Sequence, residues 1–218
     1  MEPSTSTRGW FGKIGISPFN IVMSKNVIPA VVDKETYRRI LTESMVLAGD
    51  GALAIFGYGS LIWRPGFRVR QTLAARVYGY TRRLAVHSHH YRGTVRRPGL
   101  VFGLDAGGSC NGVVLFPAAG KRRVIENLFR REMFANVYHP RFVRAQLADG
   151  REVRALTFVV RRVSSHYASP MPLAKAAAII RGAKGFGGGN ADYVRNTYAA
   201  LQQYDIHCPQ LAQLSALL

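Results

Sequence analysis

The sequence predicts an α+β fold in which an antiparallel or mixed sheet, open or closed into a barrel, carries helices on its outside. Three observations lead to this prediction. Short β-type segments joined by turn residues fill the early and middle parts of the 218-residue chain. One segment of helical period interrupts them, and three more helical segments gather at the C-terminal end. Short connections favour antiparallel neighbours, and helices grouped at one end are typical of α+β domains.

The predicted elements begin with a helix that Asp33 caps and that extends to about Ala48. A short apolar run over 53–56 predicts a buried strand that leads into a glycine-bearing loop. Residues 74–88 are rich in β-branched and aromatic side chains and hold one or two strands. The later predicted strands are 100–104, 113–116, 142–148 and 152–160, and the later helices are 119–134, 172–182, 190–204 and 208–217.

Turn residues separate these elements. The stretch 105–109 contains two adjacent glycines and predicts a turn between two strands. Asp149-Gly150 predicts a hairpin, because this dipeptide suits a two-residue turn. Asp105 is assigned to the turn class with the other loop carboxylates. The run 185–189, which holds four glycines, separates two C-terminal helices.

The chain divides into an N-terminal extension, residues 1–50, and a compact domain, residues 51–218. The extension is irregular up to about residue 32 and then forms the first helix. No apolar run reaches the roughly 18 residues that a membrane span needs, and the N-terminus does not resemble a signal peptide. The two cysteines, Cys110 and Cys208, form no closely spaced pair. We therefore expect a cytoplasmic protein without membrane partners.

The charge balance is strongly basic, with a formal net charge of +18 and a pI of about 10.8. Such a balance suits nucleic-acid binding or a solvated arginine-rich surface. The arginines stand in scattered pairs rather than in one long run, and no nucleic-acid motif is present. We expect no specific nucleic-acid partner, and attraction of a small anionic substrate is a simpler use of the same field.

Glu132 is the carboxylate with the most unusual place in the pattern. It shares one face of the predicted helix with Ile125 and Leu128, because residues three and four apart lie on one side. A buried carboxylate has a raised pKa and is a better base near neutral pH. The alternative interpretation is a structural ion pair, with Arg131 or Arg92 as its partner.

The glycine-bearing loop that starts at Gly57 is the second candidate site. Glycines after a buried strand let backbone N–H groups approach an anionic ligand, although an ordinary tight turn has the same composition. The spacing half-matches a dinucleotide-binding fingerprint, but Ile62 replaces its third glycine and Pro65 opposes a helix there. A nucleotide site is therefore not predicted.

A third candidate combines three nearby histidines, His87, His89 and His90, with Cys110. A cysteine–histidine nucleophile pair and a histidine metal site are both conceivable. His87 and His89 share a strand face, which a half-exposed strand end also produces. The histidines have no orienting carboxylate near them in sequence, so neither chemistry is favoured.

Five motifs in order resemble the ChaC-type γ-glutamylcyclotransferase family over residues 50–215. They are 56–63 (FGYGSLIW), 92–94 (RGT) with 98–101 (PGLV), 103–112 (GLDAGGSCNG), 131–133 (REM) with Tyr138 and 140–141, and 189–193 (GNADY). Val95 stands where this family often has proline, and the first fifty residues lie largely outside the pattern.

The resemblance implies a small mixed β-barrel with flanking helices, cleavage of glutathione into 5-oxoproline and cysteinylglycine, and no metal or nucleotide cofactor. It implies that Glu132 is the catalytic acid–base residue. It also implies substrate binding by Tyr58, Gly59, Ser60, Leu61 and Tyr138. Tyr138 either closes the pocket or bonds the substrate, and a structural role at the edge of the core is the alternative.

Two other functions remain compatible with these residues. One is a cyclotransferase for other γ-glutamyl amines, which the same site would serve. The other is a non-catalytic binding or regulatory protein on the same scaffold. Glu132 opposes the second, because a degenerate site would have lost a carboxylate that costs stability. The protein is expected to act as a monomer or a homodimer.

Overall fold

A computed structural model describes residues 32–118, 120–133 and 135–218. The irregular segment predicted before residue 32 lies outside these ranges. The helices are α1 (Lys34–Ala48), α2 (Lys121–Glu132), α3 (Leu173–Gly182), α4 (Asn190–Gln202) and α5 (Pro209–Ala216). The strands are β1 (Ile55–Gly57), β2 (Val69–Ser88), β3 (Gly99–Pro117), β4 (Tyr138–Leu147), β5 (Glu152–Val160), β6 (Lys184–Gly185) and β7 (Gly188–Gly189).

Five strands form a closed barrel in the order β1-β3-β2-β4-β5. Four neighbouring pairs are antiparallel, and the barrel closes through parallel pairing of β5 with β1 and with β3. The sheet is therefore mixed, which confirms the predicted α+β class with a small barrel. The predicted hairpin is also present, with Gly150 at the positive φ of 86° that its turn needs.

The predicted turn at 105–109 is wrong, because β3 continues through it as one strand of 19 residues. The register explains the turn-like composition. Tyr78 pairs with Ser109 and Tyr80 with Ala106, so β3 carries one more residue than β2 between these pairs. The extra residue is a β-bulge, and Gly107 and Gly108 supply its positive φ angles of 101° and 75°.

The first two helices cover one side of the barrel. Asp33 caps α1 as predicted, because its carboxylate accepts the Thr36 N–H at 2.8 Å. Phe129 of α2 is fully buried between Tyr37 of α1 and Phe158 of β5, with both ring pairs edge-on at 6.1 Å. These contacts fix the axis of α2 and so the place of its last residue.

The N-terminal half of α4 packs against an edge of β3 that has no strand beside it. Asn190 is fully buried, accepts the Leu100 N–H at 2.6 Å and donates to the Leu100 carbonyl at 2.8 Å. Tyr193 accepts the Phe102 N–H through its hydroxyl at 3.0 Å. Side chains thus replace a neighbouring strand here and hold α4 against β3 at Leu100 and Phe102.

The glycine run that precedes α4 is itself ordered. It forms a two-stranded hairpin of β6 and β7 rather than a plain linker. Gly187 N–H donates to the Tyr91 carbonyl at 2.9 Å, so the hairpin docks on the segment between β2 and β3. Across the described residues, no helix combines the length and the apolar character that crossing a membrane requires.

Candidate active site

Glu132 is the last residue of α2 and lies close to three tyrosines, Tyr58, Tyr138 and Tyr193. The helix buries Ile125 and Leu128 completely or nearly so, as the spacing predicts. The Glu132 side chain is only 16% exposed. Burial raises the pKa of this carboxyl group above its ordinary value, and the Arg131 guanidinium opposes part of that rise. The helix therefore carries a partly desolvated carboxylate at its end.

Three tyrosines surround this carboxylate. The Tyr58 hydroxyl donates to the Phe158 carbonyl at 2.7 Å, and the Tyr138 hydroxyl donates to the Phe102 carbonyl at 2.9 Å. Burial raises the pKa of each tyrosine, for Tyr193 to about 12, and the nearby Glu132 charge raises all three further. All three phenols are neutral near pH 7. The hydrogens of Tyr58 and Tyr138 are already donated to backbone carbonyls, whereas the Tyr193 hydroxyl has no acceptor among the described residues and can donate to a ligand.

The turn that follows β1 lies next to this carboxylate, because the Arg131 guanidinium contacts both Glu132 and Ser60. It is closed by the Ile62 N–H to the Gly59 carbonyl at 3.0 Å and the Arg64 N–H to the Ser60 carbonyl at 2.8 Å. Within the described part of the chain, the N–H groups of Gly59, Ser60 and Leu61 have no protein acceptor. Such a row of free N–H groups can bind a carboxylate or an oxyanion.

The Gly59 position has space that a side chain would reduce. A Cβ atom built there would lie 3.4 Å from the Tyr193 hydroxyl oxygen and 3.7 Å from the Phe102 Cβ. It would therefore lie against two buried side chains and crowd the turn. The glycine keeps the backbone of the turn accessible to a ligand.

Arg131 is the partner of Glu132, and Arg92 is not. The Arg131 Nε lies 3.0 Å from Glu132 Oε1. The same guanidinium donates to the Ser60 Oγ at 2.8 Å, so it links the carboxylate to the turn. The structural ion pair considered from the sequence is thus present, and through Arg131 it is joined to the turn.

Arg92 is a separate buried cation that packs on Tyr193, one of the three tyrosines near Glu132. It is 8% exposed, lies over the rings of Trp63 at 5.8 Å and Tyr193 at 5.4 Å, and donates to the Gly189 carbonyl at 3.3 Å. Among the described residues no carboxylate forms an ion pair with it. Burial lowers its pKa from the usual value, and an anionic ligand would compensate this cost.

A family model described as ChaC-like protein matches residues 53–218. This range includes the turn, Glu132, the three tyrosines and Arg92.

The chain belongs to the ChaC-like protein family.

Curated relatives carry names that describe one activity. The chain is 32% identical over 146 residues to a glutathione-specific gamma-glutamylcyclotransferase of Escherichia coli, covering 66% of this chain and 63% of the relative. It is 32% identical over 148 residues to glutathione-specific gamma-glutamylcyclotransferase 1 of Homo sapiens, covering 66% of this chain and 67% of the relative. The chain thus spans slightly less than two thirds of the E. coli protein.

A solved structure shows the same fold. The selenomethionine-labelled gamma-glutamyl cyclotransferase specific to glutathione from yeast superposes with a TM-score of 0.70 at 21% identity. The match covers 77% of this chain and 96% of that chain. The barrel with its flanking helices is therefore the fold that this ChaC-like chain shares with the yeast protein.

The site residues predicted from the sequence do not include three members of this ChaC-like site, namely Tyr193, Arg131 and Arg92, and the two arginines are interpreted there only as alternative ion-pair partners of Glu132. Tyr193 belongs to the motif 189–193, which was the available signal in the sequence. Its position one helical turn before Thr197, which accepts the Trp63 Nε1–H, needed the tertiary structure. Arg131 was considered only as a structural partner of Glu132. Its adjacency to the carboxylate was the available signal, but its contact with Ser60 needed the tertiary structure.

The histidine and cysteine candidates lie outside the ChaC-like site chemistry. His89 packs at 6.4 Å from the His87 ring and 4.6 Å from the His166 ring. No group of three potential ligands in the described residues is placed to hold a metal ion. Cys110 is buried, and burial raises the pKa of its thiol, which opposes a role as nucleophile.

Asp105 is not a turn residue, and its assignment is corrected. It is 1% exposed within β3, where it accepts the Arg162 Nε at 2.7 Å and the Tyr167 hydroxyl at 3.0 Å. It ties β3 to the segment that follows β5. This carboxylate therefore has a structural role, with both of its oxygens bound by side chains.

Proposed function

We propose that this protein is a glutathione-specific γ-glutamylcyclotransferase that cleaves glutathione into 5-oxoproline and cysteinylglycine. The observation that carries the proposal is the pairing of a largely buried carboxylate, Glu132, with a row of free backbone N–H groups in the turn that Arg131 links to it. The names of the relatives support the choice of substrate.

Glu132 acts as the acid–base residue of the reaction. It takes a proton from the α-ammonium group, and the freed amine attacks the γ-carbonyl carbon of the same molecule. The new C–N bond closes a five-membered lactam, and the bond to the cysteine nitrogen breaks. Glu132 passes the first proton to that departing nitrogen, then takes the second proton of the attacking nitrogen, which leaves a neutral lactam, and releases this proton to the cysteinylglycine amine. Such transfer contributes about 10²- to 10⁴-fold, and holding the chain folded supplies about 7–11 kcal/mol in well-oriented cases.

The turn at 59–61 binds the γ-glutamyl end. Its free N–H groups bind the α-carboxylate or the oxyanion that develops on the γ-carbonyl, where one donor contributes about 3 kcal/mol. Tyr138 and Tyr193 lie next to Glu132, whose charge raises the pKa of both phenols. Arg92, a buried cation without a carboxylate partner among the described residues, binds the carboxylate at the cysteinylglycine end.

The direct test is incubation of the purified protein with glutathione, followed by mass spectrometry of 5-oxoproline and cysteinylglycine. Equimolar release of both products is expected. A parallel incubation with γ-glutamyl-alanine separates the proposed enzyme from a cyclotransferase for other γ-glutamyl amines, since this shorter substrate lacks the cysteinylglycine end whose carboxylate Arg92 is proposed to bind. Failure to turn over either compound would refute the proposal.

The catalytic unit comprises residues 51–218, with residues 1–50 as an extension. We place the protein in the cytoplasm without specific nucleic-acid or membrane partners, because its two cysteines are both free and suit a reducing compartment. It acts as a monomer or a homodimer, which light scattering distinguishes. No cofactor is needed for the steps above, so turnover is expected to persist in excess chelator.

A further inference from the structure

Arg131 makes three contacts, one with the Glu132 carboxylate and two with the turn that follows β1. Its Nε lies 3.0 Å from Glu132 Oε1, and its Nη2 donates to the Ser60 Oγ at 2.8 Å. Its Nη1 donates to the Arg64 carbonyl at 2.5 Å. One planar guanidinium therefore holds the base and the turn at a fixed separation, and its rigid fork makes this separation specific.

The pairing of Arg131 with Glu132 is unusual on a helix. Neighbouring residues are about 100° apart around the axis and do not normally face each other. Here Glu132 ends α2, and Met133 already leaves the helical conformation. The two side chains converge at this end. The guanidinium of Arg131 contacts the turn, and the Arg131 side chain is 27% exposed.

The contact with Ser60 sets the direction of the Ser60 hydroxyl. A hydroxyl has one hydrogen to donate and two lone pairs. The Arg131 N–H occupies a lone pair, so the hydrogen must point elsewhere. Among the described residues it has no acceptor. The hydrogen is thus available to an anionic group bound beside the free N–H groups of the turn.

We propose that Arg131 is a positioning residue that aligns both Glu132 and the Ser60 hydroxyl with the γ-glutamyl group of the substrate. This proposal rests on the proposed function. Arg131 does not touch the reacting atoms in this scheme. It acts through the carboxylate that moves the proton and through the hydroxyl that binds the substrate anion.

The same contact controls the ionisation of Glu132. The groups that face this carboxyl are Arg131 on its own helix and the neutral phenols Tyr58, Tyr138 and Tyr193. Burial raises the pKa of Glu132, and Arg131 is the cation that counteracts this rise. Removal of the Arg131 charge therefore raises the pKa of Glu132 further, and the ionised base is lost at a higher pH.

The test compares Arg131→Gln and Arg131→Lys with a matched control, Arg123→Gln, which removes an exposed arginine from the same helix. Release of 5-oxoproline from glutathione is measured against pH, with kcat and KM separated. For Arg131→Gln we expect kcat/KM to fall at least about tenfold and its acid limb to move upward by about one pH unit or more. Arg131→Lys restores the limb because it restores the charge. The control is unchanged in both respects.

A second measurement is independent of turnover. Carbon-13 NMR titration of the Glu132 carboxyl, assigned by its loss in Glu132→Gln, reports the same upward shift in Arg131→Gln. An inactive wild-type protein that still shows this shift would refute the proposed function but not the Arg131–Glu132 coupling. An unmoved carboxyl titration in folded Arg131→Gln overturns the proposal. If Arg131→Gln does not fold, an Arg131→Lys variant with wild-type kcat/KM overturns it, because the shorter ammonium cannot hold Ser60 and Glu132 together.

Discussion

Replacing Glu132 with glutamine tests the central assignment, because glutamine keeps the shape and removes the base. Proton transfer by a positioned side chain contributes about 10²- to 10⁴-fold. The structure places the expected loss in the upper part of that range. The Asp192 side chain is 67% exposed and Asp105 is bound to Arg162, so neither is placed to replace Glu132 as the proposed base in the Glu132→Gln variant. We expect kcat for glutathione to fall about 10³-fold or more.

The assay is quantitation of 5-oxoproline by mass spectrometry, with the folded state monitored by thermal unfolding. Glu126→Gln is the matched control, since it removes a carboxylate from the same helix that pairs with Arg122 at 2.9 Å on the surface. The control should retain wild-type turnover, because surface ion pairs contribute only about 0–1 kcal/mol. Glu132→Gln should fold, because it removes a charge whose burial is unfavourable.

The pH dependence follows from the same carboxyl group. Burial raises the pKa of Glu132 above the ordinary glutamate value of 4.5. The proposed proton transfer needs the ionised form of this carboxyl group. Activity is therefore expected to decline, as the pH falls, at a value higher than an ordinary glutamate would give. A Glu132→Gln variant that turns over glutathione within about threefold of wild type, with this acid limb intact, would refute the reasoning.

Three further predictions concern other parts of the molecule. Arg92→Gln should raise KM for glutathione by about tenfold or more and have a smaller effect with glutathione amidated at its glycine, measured by steady-state kinetics. Phe129→Ala should destabilise the fold by about 3–5 kcal/mol, measured by urea unfolding, because its ring is fully buried. Although burial raises the pKa of Asp105, its bonds to Arg162 and Tyr167 outweigh this and lower the value. The stability contributed by its ionised form is therefore present above its unfolded pKa and lost as the pH falls through the folded value. Asp105→Asn should flatten this loss in thermal unfolding below about pH 4.

Local patterns were sufficient for most elements of the fold. The cap at Asp33, the hairpin at Gly150 and the face that joins Leu128 to Glu132 each depend on neighbours in the chain, so their residue types predicted them. The same local reasoning failed at 105–109. A glycine pair serves a turn and a bulge equally well, and only the pairing of β3 with the 20-residue β2 distinguishes them.

The sequence by itself determined which carboxylate is unusual, because helical spacing alone places Glu132 on an apolar face. It also determined the glycine-bearing turn. Only the tertiary structure decided what these two features meet. Arg131 reaches Ser60 across 71 positions of the chain, and Tyr193 reaches Phe102 across 91. Contacts at such separations depend on how the barrel closes and where α2 and α4 pack, which no local pattern of residues encodes.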